Sequence, residues 1–156
     1  MKKLTTILAA VALIISTSAF ANTGVNVTEK VNTAFKENFT GATNVTWTKA
    51  NEFYFAHFEI NNDDVSVAYN EDGELLGTSH LINQVALPQA VTYSLKEKYD
   101  DFTMSPSVTE VELLGKVSYL ITLETKGSIV RLKCTDAGTI AVEKATKKPA
   151  LVGKVY

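Results

Sequence analysis

Apolar side chains recur along this chain with two periods, and the periods alternate in the same order twice. Val27, Val31, Ala34, Phe35 and Phe39 fall three and four apart, the spacing of one face of a helix. Asn26 with Glu29 three residues later has the form of a capping box that would open this helix. Thr40-Gly41 would close it, since Gly tolerates the left-handed turn of a helix stop. The period then drops to two. Residues 44–50 alternate through Val45 and Trp47, 52–60 are dense in aromatics, 64–70 alternate through Val65, Val67 and Tyr69, and 74–79 return. These read as four strands. Asn61-Asn62-Asp63 and Asn70-Glu71-Asp72-Gly73 supply turn chemistry between them.

The order then repeats. Pro88 suits a first helical turn, and Val91, Leu95 and Tyr99 form a second helical stripe that Asp100-Asp101 ends. Strands are predicted over 107–113, 117–124, 128–134 and 139–144. Ala34-Phe35-Lys36-Glu37-Asn38-Phe39 aligns with Ser94-Leu95-Lys96-Glu97-Lys98-Tyr99 at an offset of 60. Tyr54, Ala56 and Phe58 align with Tyr119, Ile121 and Leu123 at 65, as do Val65, Val67 and Tyr69 with Val130, Leu132 and Cys134, and Gly73 with Gly138. Registration held through several strands and turns points to a duplicated unit.

In this order, Asn44-Val45-Thr46-Trp47, the aromatic strand, Tyr69-Asn70-Glu71-Asp72-Gly73-Glu74 and Leu87-Pro88-Gln89-Ala90-Val91 resemble the PepSY-like family that is likened to the β-lactamase inhibitor protein. The resemblance implies tandem helix-plus-four-strand units, sheets joined into a curved surface, an envelope location, and a binding or inhibitory role without catalytic residues. The second unit departs from the pattern: 100–107 carry no Trp, and Thr135-Asp136-Ala137-Gly138 lacks the acidic pair of its counterpart. A function tied to those residues would sit mainly in the first unit.

The ends add a compartment. Lys2 and Lys3 precede an apolar run over 4–15, then small residues ending Ala19-Phe20-Ala21. That is the form of a cleavable signal peptide, cut after Ala21, and the run is too short for a stable membrane span. The expected organisation is a signal peptide over 1–21, a first PepSY-like repeat over 22–85, a second over 86–145 and a tail over 146–156. The expected location is the periplasm or the extracellular space. Cys134 is the sole cysteine, so no disulfide forms within the chain, and an unpaired Cys in an alternating run reads as a buried apolar side chain. The formal net charge of −2 argues against a nucleic-acid partner, which would need a basic stripe.

Candidate chemistry is sparse. No nucleophile elbow or Gly-rich phosphate loop occurs, so no catalytic residue, cofactor or enzyme activity is expected. His57 and Glu59 lie two apart on one strand and form half a metal site, but zinc needs three or four ligands. No metal is expected. Asn70-x-Asp72-Gly73 echoes a calcium loop without its later Glu, and a hairpin turn explains it.

The expected fold is α+β, two tandem α-β4 repeats with two helices packed on one face of an antiparallel sheet of about eight strands. Tyr54, Ala56, Phe58, Tyr119, Ile121 and Leu123 are the expected core. Phe53, Phe55 and His57, with Leu120 and Arg131 of the second unit, then face the open side as a binding surface, and exposed phenylalanines on a polar face have hot-spot composition. The tail could instead cover that face. The expected function is non-enzymatic binding of a protein or peptide in the cell envelope through this face. Alternatives are inhibition of an envelope or extracellular hydrolase of protease or β-lactamase type, by this face or by the hairpin over 70–74, and small-ligand or metal sensing through His57 and Glu59.

Overall fold

The structure is a computed structural model and describes residues 24–148. The signal segment over 1–21, with its cut after Ala21, lies outside the described residues, as do residues 149–156 of the expected tail.

Among the described residues two α-helices, α1 (Glu29–Asn38) and α2 (Gln89–Lys98), accompany nine strands: β1 (Thr43–Ala50), β2 (Phe53–Ile60), β3 (Asp63–Asn70), β4 (Leu75–Asn83), β5 (Thr103–Met104), β6 (Ser107–Leu113), β7 (Lys116–Glu124), β8 (Ser128–Thr135) and β9 (Ile140–Lys147). The sheet order is β1-β2-β3-β4-β6-β7-β8-β9, with the two-residue β5 paired to β7. This is the expected α+β architecture, with β5 as a ninth strand too short to show a period. The described residues form two compact units: 24–81 with Val111–Lys116, and Ile82–Glu110 with 117–148.

In the first unit α1 starts from Thr28, whose hydroxyl accepts from the Val31 amide at 3.4 Å. The expected Asn26 cap is therefore displaced by two residues. Glu29 becomes the first helical residue, where the positive end of the helix dipole favours a carboxylate. Val31 and Phe35 of α1 pack on Tyr54, Ala56, Phe58, Val67 and Tyr69, the alternate residues of β2 and β3. Phe35 meets Trp47 and Phe58 edge-on at 5.2 and 5.0 Å. Asn61 and Asn62 both have positive φ (53° and 69°), so the β2–β3 link is a two-residue turn whose twist matches that of the strands it joins.

The second unit solves the same problem with different side chains. Val91 and Leu95 of α2 pack on Tyr119, Ile121, Leu123, Val130, Leu132 and Cys134. Its backbone bonds repeat those of the first unit. Phe39 N donates to Phe35 O, as Tyr99 N does to Leu95 O. Asn70 N donates to Glu74 O, as Thr135 N does to Thr139 O. The offsets of 60 and 65 read from the sequence are thus offsets between equivalent hydrogen bonds. The change between them falls at β5: Thr43 pairs with Glu59 and Thr103 with Glu124, one partner pair carrying both offsets.

Candidate functional site

Alternation along β2 sends Phe53, Phe55, His57 and Glu59 to the face away from α1. Phe53 and Phe55 were expected to be exposed there; they are buried, at 4% and 8% exposure. Three local features explain it. Phe55 stands in the cross-strand row Thr48–Phe55–Ala68–Gly77, whose small members leave a ring room to lie along the sheet. Ala50 sits opposite Phe53. A register shift between Ala68 and Tyr69 bulges β4, and Leu76 packs with Phe53, Phe55 and Ala68 in a small cluster of its own. The two rings are therefore cover for this side of the sheet.

The face stays open at one end. A pocket of 410 Å³ has Phe53, Leu76 and Leu114 as its apolar lining, with Glu52, Glu71, Asp72 and Glu74 around them. Leu114, at the β6–β7 turn, is 55% exposed and has φ of 49°, a left-handed conformation that costs a branched side chain about 1–2 kcal/mol. With Gly115 (φ 73°) it forms a two-residue turn like that of Asn61 and Asn62, and its amide donates to Leu76 O at 3.0 Å. The turn accounts for the conformation; an exposed leucine in place of the Asn or Gly that such a turn favours is the feature that it does not explain.

Three of the four carboxylates, Glu71, Asp72 and Glu74, are held by neighbours. Glu71 accepts from Lys49 Nζ at 2.9 Å, and Asp72 from Lys30 Nζ at 3.1 Å. Asn70 Oδ1 accepts from the amides of Asp72 and Glu74 at 3.0 and 2.9 Å, while its Nδ2 donates to Glu74. Asn70 thereby freezes the turn. Lys49 also donates to Tyr54 Oη at 3.0 Å, and its bonds to Tyr54 and then Glu71 hold the ammonium above its ordinary pKa.

His57 is exposed, with Nδ1 2.9 Å from Ser66 Oγ and Nε2 3.9 Å from Asp64 Oδ1. The line Ser66–His57–Asp64 carries the residue types of a nucleophilic triad. Yet 3.9 Å is too long for the carboxylate to orient the ring, and Asp64 is itself open to solvent at 61%, where a triad acid is buried. Glu59 accepts from Asn44 Nδ2 at 2.8 Å. Among the described residues no three His, Cys, Asp or Glu side chains are grouped to hold a metal. In the second unit Leu120 is half-buried opposite Lys133, and Arg131 is exposed opposite Thr122.

Sequence reasoning placed Phe53 on the right face but missed Leu76 and Leu114. The signal for Leu114 was present in Leu114-Gly115, an apolar residue inside a turn; for Leu76 there was none, because alternation does not announce a bulge.

No protein-family model matches the chain, and no curated protein matches its sequence. Solved structures share its fold. A BLIP-like protein of Bacteroides fragilis has a TM-score of 0.64 at 20% identity, over 80% of this chain and 90% of its own. A DUF2874 family protein of Bacteroides ovatus has 0.65 at 21% identity, over 80% and 89%. A Bacteroides eggerthii protein provisionally described as periplasmic has 0.66 at 19% identity, over 79% and 90%. Among the described residues no helix is long and apolar enough to cross a membrane.

Proposed function

We propose that this chain is an exported, non-enzymatic binding module of the periplasm or extracellular space. In this reading the pocket around Leu114 takes a lysine or arginine side chain of a protein or peptide partner. The observation that carries it is the exposed Leu114 in its left-handed turn, set beside buried Phe53 and ringed by four carboxylates. A long cationic side chain matches both parts: its methylene stem covers apolar lining while its charged head stays with the carboxylates at the wet rim. Complementary charge speeds encounter and fixes register. The signal segment, the fold shared with a BLIP-like protein and the PepSY-like order of residues support the envelope setting and the binding class. Nucleic acid is not the partner of an acidic surface such as this.

A second reading is favoured by the fixed turn over 70–74. Held by Asn70 and by the Lys30–Asp72 pair, it is preorganised to enter a hydrolase active site. A basic partner surface would serve either role.

The test is binding of short lysine-bearing peptides to the purified protein by calorimetry, against Leu114→Asn and Glu52→Gln variants. Saturable binding that weakens in both variants and with salt supports the assignment. Equal binding of neutral peptides, or binding unmoved by Leu114→Asn, overturns it.

A further inference from the structure

Beyond that reading, a second opening lies on the opposite, α1-bearing side of the first unit. It is a groove of 410 Å³ between the end of α1 and β1, with Phe35, Phe39, Ala42, Val45 and Trp47 in its lining and Lys36 as a charged member. No carboxylate lines it among the described residues. Val45 is 37% exposed and Trp47 half-buried. Among the described residues β1 ends the strand order, pairing with β2, so its other edge offers backbone N–H and C=O groups to an added strand.

The second unit shows what such a place accepts. Ala42 N donates to Phe39 O at 3.2 Å, and Phe102 N donates to Tyr99 O at 3.1 Å; Phe102 is the counterpart of Ala42. Its ring packs edge-on against Tyr99 at 5.4 Å and 83°. The duplicated unit therefore supplies from its own chain an aromatic ring at the position where the first unit has only a methyl. Two aspartates, Asp100 and Asp101, immediately precede that ring. Lys36 gives the open groove the matching positive charge.

We infer that this groove binds an extended peptide carrying an aromatic side chain next to acidic residues. The aromatic enters beside Phe39 and Trp47, an acidic neighbour meets Lys36, and the peptide backbone adds to the free edge of β1 along 46–50. Strand addition fits because alternate side chains of an added strand all reach the α1 side.

Trp47 is the sole tryptophan, so its emission reports occupancy directly. The probe is the acetylated peptide Asp-Asp-Phe-Thr-Met, copied from 100–104. Titration into the purified protein is expected to shift Trp47 emission saturably. Replacing the peptide Phe by Ala should abolish the shift. Ala42→Phe, which copies the second unit, should fill the groove from within and weaken binding by more than tenfold. Lys36→Glu, at an exposed position, should weaken it about fivefold and favour Lys-Lys-Phe-Thr-Met instead. The proposal is overturned if folded wild-type protein shows no shift, or if Ala42→Phe folds and binds undiminished. Phenylacetate binding as tightly as the peptide would make this a small-molecule site and overturn it too. Should Ala42→Phe fail to fold, the Lys36→Glu charge swap decides: an unchanged preference for the acidic peptide sinks the assignment. None of these results bears on the Leu114 pocket, whose ligand is basic.

Discussion

Gly138 lies so close to Ala90 that a Cβ added to it would sit 2.5 Å from the Ala90 carbonyl oxygen and 2.8 Å from Ser94 Oγ. In the first unit Gly73 holds the same place against Lys30 O at 3.0 Å. Both glycines have φ of +83°. In each unit the turn before the last strand thus packs against the backbone of the helix's first half. Gly73→Ala is expected to cost about 1–2 kcal/mol from the left-handed backbone alone. Gly138→Ala should cost clearly more, because the Ala90 carbonyl stands closer to the added Cβ (2.5 Å) than the Lys30 carbonyl does at Gly73 (3.0 Å) and the backbone must shift. Urea midpoints at constant slope measure both; equal losses would deny the closer approach in the second unit.

Phe55→Ala is expected to cost about 3 kcal/mol or more, as truncation of a buried ring does, and a polar pair at Phe53 and Phe55 should fail to fold stably. Domains of this size have about 5–15 kcal/mol in hand. Thermal unfolding checks it, and a change below about 1 kcal/mol would return Phe55 to the surface role its sequence position suggested.

Much of the fold was legible in the sequence because period and turn chemistry are local. The stripe through Val31 and Phe35, the alternation through Tyr54, Ala56 and Phe58, and the Asn-rich turns each state their geometry over a few residues. The site was less legible because burial is not local. Phe53 and Phe55 alternate as surface residues should, and only the register that brings Ala68, Gly77 and the bulged Leu76 beside them covers them. The turn residue Leu114 comes to line the same pocket as Phe53 from 61 positions along the chain. The repeat offsets were visible; what β5 does with the five-residue difference between them was not.

Thr28→Ala should destabilise α1 by about 0.5–1 kcal/mol, the lower part of the range for losing a cap, since the 3.4 Å bond to Val31 N is long. Asn26→Ala should be neutral. Chemical denaturation of the two variants separates the observed start of the helix from the one that the Asn26–Glu29 spacing suggests.

Alkaline pH should expose the buried acids. Burial raises the Cys134 thiol above its ordinary 9.0, and it raises the Tyr69 phenol above 10.0, partly offset by the Asn38 hydrogen bond. A group whose folded pKa is raised stays protonated in the native state while the unfolded chain ionises. Stability is therefore unaffected below about pH 9 and falls as pH rises beyond it. Thermal midpoints between pH 7 and 11 should show this decline, shallower in Cys134→Ala and Tyr69→Phe than their neutral-pH losses account for. Cys134, fully buried, should also resist alkylation in the native state and react in denaturant.

Leu114→Asn sets stability against function at one residue. Asn accepts a positive φ more readily than Leu, and Leu114 is 55% exposed, so little apolar burial is lost. The variant is expected to gain about 0.5–1 kcal/mol from relief of the left-handed strain. It also removes part of the apolar lining that would hold a methylene stem beside Phe53 and Leu76. A protein that becomes more stable in urea while losing affinity for lysine-bearing peptides would mark Leu114 as a residue kept at a cost to folding. Gain of stability with unchanged affinity would leave it an ordinary turn residue and move the partner surface elsewhere.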